Sequence, residues 1–402
     1  MADGNLNSGW KTVRFDQIAE NIGERADPTP EDSELYVGLE HMDTGSLRVR
    51  RWGSKTDLIG QKLRMRKGDI LFARRNAYLK RVAVAPHDGL FSAHGMVLRA
   101  RPETVLPEFL PFFMQSELFM NRAVEISVGS LSPTINWKSL AVQEFVLPSM
   151  QEQLRLLNLL DAWYQVADAA YEAIVKADRM RRAAITRFFE TGLRSEERTV
   201  TTIGSLPKSW TVAPLGQRYE VQLGKMMSET ARSAPGQTPY LRNANVQWNK
   251  FELDDVAEMA FNAREKEKFS LRYGDILACE GRHVGKSAMW KDEIPGACYQ
   301  KALHRLRRLS DVDEPRYLLH CLQYYSWTGR FISVTGETTI PHLPAERFRA
   351  MLFPFPPLGE QVEIAAAVDE IDEAIAALEE RQRRATHMLA QAMGECLGGA
   401  HV

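Results

Sequence analysis

Leu147-Pro148-Ser149-Met150-Gln151-Glu152-Gln153 returns later in the chain as Phe355-Pro356-Pro357-Leu358-Gly359-Glu360-Gln361. The offset is 208 residues from Pro148 to Pro356, and it is the same from Glu152 to Glu360 and from Gln153 to Gln361. A proline just ahead of a run of helix formers marks a helix start. Each copy therefore closes a globular segment and opens a helix, and the chain reads as one unit duplicated.

Behind the first copy, Leu156, Leu160, Trp163, Ala167, Ala170, Ile174, Ala177, Arg181, Ala184 and Phe188 step alternately by four and three, a heptad seam. Behind the second copy the seam is Ile364, Val368, Ile371, Ile375, Leu378, Gln382, Ala385, Leu389, Ala392 and Cys396, each at the same offset. A helix of about 40 residues is roughly 60 Å long. A lone apolar stripe of that length needs a partner, and the matched register predicts that the two helices pack on each other. Both directions of packing are open, with the symmetry of a repeat favouring antiparallel. The predicted fold is α+β: two tandem mixed α/β domains, each followed by a long α-helix, the helices forming a coiled coil with pseudo-twofold symmetry. The expected limits are 1–149 and 206–356 for the domains, 150–193 and 357–398 for the helices, and 194–205 for a polar, exposed linker.

Within the domains, Trp10 matches Trp210, and Tyr36–Met42 matches Tyr240–Val246. The firmest internal match is Gly68-Asp69-Ile70-Leu71 with Gly274-Asp275-Ile276-Leu277, a turn feeding a buried strand. Further short strands are expected within 80–86 and 95–100. Short helices are expected over 107–121 and 315–326, each opening at a proline.

The 402 residues are 44% hydrophobic and 26% charged, ordinary for a soluble protein. No apolar run approaches a membrane span and Met1–Asn5 opens no signal peptide, so no membrane partner and a cytoplasmic location are expected. Cys279, Cys298, Cys321 and Cys396 lack the spacing of a metal site or a disulfide framework. The net charge of −1 hides an uneven distribution. Between Ser46 and Arg81 stand twelve cations, among them Arg48, Arg50, Arg51, Arg74, Arg75, Lys80 and Arg81, against Asp57 and Asp69 alone. A basic patch on a neutral whole suits contact with DNA on one face.

No catalytic constellation stands out. Gly281–Ser287 ends in Gly-Lys-Ser, but Glu280 occupies the place where a phosphate loop needs its first glycine. The histidines, His94, His283, His304 and His342 among them, lack metal-ligand spacing. The expectation is a chain without catalytic residues, metal or cofactor of its own.

Arg and Lys neutralise phosphates, and Arg, Asn and Gln can read base edges. In the first repeat Arg74, Arg75, Asn76, Tyr78, Lys80 and Arg81 combine these types just after the Gly-Asp strand, with Arg48, Arg50 and Arg51 upstream. In the second, Arg242, Asn243 and Asn245 join Arg282, His283 and Lys286. A third pair of segments, Val128–Ile135 and Thr335–Leu343 with Thr338 and Thr339, makes a tight polar turn. Its hydroxyls either face phosphate or serve the turn itself.

The chain resembles the specificity subunits of type I restriction-modification systems. The resemblance rests on the opening Leu206-Pro207-Lys208-Ser209-Trp210, the Gly-Asp-Ile-Leu strands, the turn Gly336–Leu343 and the helix start Pro356-Pro357-Leu358-Gly359-Glu360-Gln361, repeated across nearly the whole chain. The first copy departs from it, with Ser8-Gly9-Trp10 at the opening and Ser149-Met150 at the helix start. The resemblance implies two target-recognition domains reading a bipartite site in double-stranded DNA, with the helices as a spacer. It also implies two methyltransferase subunits, which would carry S-adenosylmethionine, and a motor-nuclease restriction subunit as partners. The rival readings are an enzyme with an unrecognised methyltransferase or nuclease site, and a coiled-coil scaffold of another DNA-defence complex.

Overall fold

The computed structural model describes residues 9–29, 32, 35–53, 58–332 and 342–397. The chain forms two compact units, Met1–Glu172 with Leu378–Val402, and Ala173–Ala377.

In the first unit, strand Lys11–Arg14 pairs antiparallel with Glu144–Leu147, so the strand that ends in the Pro148 motif closes the domain onto its own start. A four-stranded antiparallel sheet follows the order Ala19–Asn21, Met96–Ala100, Ile70–Phe72, Val82–Val84. A second sheet of four short strands includes one parallel pair, Tyr36–Val37 with Gly89–Phe91. Phe15, Phe113, Phe119 and Phe145 fill the core between sheet and helices, with Phe119 and Phe145 stacked at 5.4 Å.

The second unit repeats the plan. Thr211–Pro214 pairs with Leu352–Phe355. The main sheet runs Tyr219–Leu223, Leu303–Arg308, Ile276–Cys279, Ser287–Met289, all antiparallel. Tyr325 stacks on Phe353 at 4.5 Å in its core.

The Gly-Asp turn is built identically in both. Gly68 and Gly274 have φ of 91° and 87°, a region open to glycine without strain. Asp69 accepts the Arg66 amide at 2.8 Å and a two-pronged Arg99 guanidinium at 2.8 and 3.0 Å. Asp275 accepts the Arg272 amide at 2.8 Å and Arg307 at 2.7 and 2.6 Å.

The two long helices span Met150–Thr191 and Leu358–Leu397. In the first unit Leu156 and Leu160, from the start of one, share a core with Leu389, Ala392 and Leu397 from the end of the other. In the second unit Ile185 and Phe189 share a core with Ile364, Ala365 and Val368. Beginning meets end in each unit, so the packing is antiparallel. Arg181, the charged member of the first seam, is buried and pairs with Asp372 of the other long helix and with Gln323 at 2.8 Å. Towards their C-termini the seams slip by one residue: Ile185, Phe189 and Leu397 are the buried positions where Ala184, Phe188 and Cys396 were expected. A 3.6-residue helix drifts against a strict heptad, about 20° each repeat.

Two expectations change. The segment 194–205 is not a plain linker: Arg198–Thr201 and Gly204–Pro207 form a hairpin. The helix expected over 107–121 is two, Leu110–Gln115 and Glu117–Glu125, parted at Ser116, whose hydroxyl caps the second by accepting the Phe119 amide.

Candidate nucleic-acid interface

After Ile70–Phe72 the chain cannot continue straight. Asn76 and Lys80 both adopt left-handed backbone, with φ of 54° and 48°, and bracket a short 3-10 turn over Ala77–Leu79. That turn throws Arg75 and Tyr78 to the outside while Ala77 is buried beneath them. The matching loop after Ile276–Cys279 bends at Arg282, φ 63°, and exposes Arg282 and His283. Asparagine tolerates this backbone; arginine does so with strain, and such outliers concentrate where a loop is held for function.

The polar turn, more than 50 residues further on, folds back against this loop. Arg75 and Thr134 form a β-bridge. The Ile135 amide donates to Arg74 at 3.0 Å and the Ala77 amide to Pro133 at 3.3 Å. Ser132 donates to the Asn76 side chain at 2.9 Å and accepts Arg75 Nε at 3.3 Å. The second unit shares the plan: Gly281 bridges to His342, and the Leu343 amide donates to Glu280 at 2.8 Å. Thr338 and Thr339 lie outside the described residues.

A third segment joins each loop. In the second unit Asn243 donates to the Gly281 carbonyl at 3.4 Å, and Lys286 reaches Gln247 at 3.1 Å. In the first, Arg81 donates to the Leu39 carbonyl at 2.6 Å, which ties its head inward. Lys80 donates to Asn121 at 3.2 Å. Gln247 was not among the residues singled out in the sequence; its place two residues beyond Asn245 was the available signal.

His94 sits beside the first loop, its carbonyl accepting the Arg75 amide at 3.3 Å. Burial, then the positive charges of Arg75, Arg74 and Lys62, hold its pKa below the usual histidine value. It presents a neutral ring within a cationic surface.

Four expected contacts have partners within the fold. Asn245 is 3% exposed, and its side chain caps its own turn, accepting the Arg242 amide at 2.9 Å and donating to the Glu252 and Asp255 carbonyls at 2.9 Å. Arg50 lies against the central helix, paired with Asp168 and stacked over Tyr171 at 4.0 Å. Arg48 joins the same Asp168 at 2.7 Å, and Arg242 is paired with Asp255 at 2.8 Å. Arg51 pairs with Asp43 and remains exposed.

Among the described residues, His320, Asp369 and Asp372 form a group with metal-ligand proximity. Arg316 meets Asp369 at 2.8 Å, and Arg181 and Asn249 meet Asp372, so cationic and amide donors already occupy these carboxylates. Burial pushes the Cys279 and Cys298 thiols up to about 11, away from nucleophilic chemistry. No helix among the described residues is long and apolar enough to cross a membrane.

Residues 207–386 match the family model for the type I restriction modification DNA specificity domain. The type I restriction enzyme MjaVIII specificity subunit of Methanocaldococcus jannaschii is 19% identical over 375 residues, covering 91% of this chain and 87% of that one. The EcoDI specificity subunit of Escherichia coli is 21% identical over 199 residues, 48% of this chain and 44% of its own length. In fold, the S subunit of a type I restriction-modification system from M. genitalium superposes with a TM-score of 0.61 at 15% identity, covering 99% of this chain and 98% of that one. A duplicated, helix-linked fold is thus what this chain shares with that protein. By these comparisons the chain is similar to the specificity subunits of type I restriction-modification systems, and its residues 207–386 match their DNA specificity domain.

Proposed function

We propose that the chain reads a bipartite DNA site, one half with each domain, and performs no chemistry itself. The observation that carries this is the recurrence, in both units, of one constellation: a basic loop after the Gly-Asp strand, bridged to a distant segment at Thr134 in the first unit and at His342 in the second, and flanked by a third polar segment. In the first domain Arg74, Arg75, Asn76, Tyr78 and Lys80 supply the contacts, with Arg51 towards phosphate. In the second, Asn243, Arg282, His283 and Lys286 do so, with Gln247 beside them. Phosphate contacts fix register, while Asn, Gln and Arg carry the base readout. Two methyltransferase subunits holding S-adenosylmethionine, and a motor-nuclease subunit, would supply methylation and cleavage. The arginine-occupied carboxylates and the buried thiols support a recognition role over a hidden active site.

The test is to express the full chain with and without its modification subunits and to map genomic adenine methylation by long-read sequencing. A split motif that depends on this chain is the expected result. A stable complex that adds no motif would overturn the reading in favour of a scaffold.

A further inference from the structure

We propose that Leu131 is a wedge that enters the base stack of the half-site read by the first domain and unstacks one step. This rests on the reading of that face as the DNA interface. Leu131 is 96% exposed, at the tip of the turn that clasps the basic loop. A single exposed leucine is common; what separates this one is how it is held.

Val128 and Thr134 exchange both backbone hydrogen bonds, at 3.0 and 2.9 Å, closing the turn below Leu131. Gly129 takes φ +114°, which a side chain would resist. Pro133 fixes the next backbone angle, and its carbonyl accepts the Ala77 amide. Thr134 donates to the Ser132 carbonyl at 3.0 Å, and Ile135 is fully buried. The turn is thus ordered to present at its tip an apolar side chain that buries almost nothing within the chain, with Val128, 67% exposed, at its base. Its position is fixed before a partner arrives, so insertion would lose little conformational freedom.

The surroundings name the partner. The bonds that hold the turn also hold Arg74 and Arg75, through Ile135 and Ser132. An apolar protein partner covering Leu131 would have to strip water from those guanidinium groups without recompense. Duplex DNA satisfies both halves of the surface: phosphates for the arginines, and a gap between base pairs for the leucine. Apolar side chains set among cations kink DNA in this way. Unstacking is easiest at pyrimidine–purine steps, so Leu131 would add sequence preference without a hydrogen bond.

The test uses the full chain assembled with its modification subunits and DNA carrying its mapped motif. 2-Aminopurine replaces each purine of the first half-site and its flanks in turn. One step should brighten with the wild-type complex and stay dark with Leu131→Ala, with affinity falling roughly tenfold. Leu131→Met should retain both properties. Fluorescence at the methylated adenine itself is expected in every variant and is set aside. Equal brightening by wild type and Leu131→Ala on DNA that both bind would overturn the wedge and leave DNA recognition standing. Failure of the wild-type complex to bind DNA would overturn both. A lowered melting temperature for Leu131→Ala would mean that the side chain packs within the protein, and would also overturn the wedge.

Discussion

Gln153 and Gln361 make the same three hydrogen bonds at equivalent places in the two units. Gln153 donates to the Pro148 carbonyl at 3.0 Å and the Thr104 carbonyl at 3.2 Å, and accepts the Leu106 amide at 2.9 Å. Gln361 donates to Pro356 at 2.9 Å and Val312 at 3.5 Å, and accepts the Glu314 amide at 3.0 Å. Both side chains are buried. Each glutamine fastens the first turn of a long helix to the strand before it and to the loop over its domain. Gln153→Leu and Gln361→Leu would each leave buried backbone groups without partners. A loss of about 2–4 kcal/mol is expected for each, measured by denaturant unfolding with the transition of the affected unit moving first.

Asp275 should be similarly sensitive. It is buried, and it joins a backbone amide of the Gly274 turn to both prongs of Arg307. Asp275→Asn keeps the shape but removes the charge that Arg307 faces. A loss of roughly 1.5–3 kcal/mol follows from the strength of hydrogen bonds to charged groups. Asp69→Asn at the equivalent turn should do the same to the first unit, and thermal unfolding of the two variants checks both.

The basic loops should report themselves through salt. Arg75→Ala and Arg282→Ala each remove one exposed cation from the proposed interface. If the group meets a phosphate, the slope of log affinity against log salt should shrink by about one. If it reads a base, the methylated motif should relax in one half only. Arg50→Ala offers the contrast: its partners are Asp168 and Tyr171, so it should lower stability while leaving the salt slope unchanged.

His304 gives the second unit an acid sensitivity. It is fully buried, and its Nε2 lies 2.8 Å from the Leu343 carbonyl. Burial is the main cause that pushes its pKa down to about 4. An unfolded chain protonates this histidine near 6.5. Between those values the unfolded state binds more protons, so stability falls as pH drops from about 6.5 to about 4 and levels off below, by about 3 kcal/mol. His304→Gln keeps a donor towards Leu343 and cannot titrate there. Melting temperature against pH should therefore decline less steeply for that variant than for wild type over this window.

The architecture was largely legible because its signals are periodic or local. The seams from Leu156 and from Ile364 announced a helix pair, since a heptad pattern has no other use. Helix direction was closed to inspection, because a stripe looks the same read either way. The Gly68 and Gly274 turns were visible because glycine and aspartate there meet two separate local needs. The hairpin over Arg198–Pro207 was missed because most of its residues are exposed, so no apolar alternation marks it.

The site was less legible, for reasons of distance. Asn245 and Asn76 look alike in a sequence, yet one caps its own turn and the other bends the exposed loop. Arg50 read as a free cation because its partner Asp168 lies 118 residues away. The joining of Val128–Ile135 to Arg74–Ala77 depends on the whole sheet being assembled first.

The boundary between the units falls inside both long helices, not in a loop. The first unit therefore completes its core with Leu389, Ala392 and Leu397 from the far end of the chain, and the second with Ile185 and Phe189 from just ahead of Gly192. A break in the gene near Gly192 would yield two polypeptides, each holding a domain with half of a helix left uncovered. Neither would be self-sufficient, and each would lack what the other carries. Such halves could regain function only by pairing. Two copies of one half, offering the same surfaces, could pair as well, and would turn a reader of two different words into a reader of one word written twice.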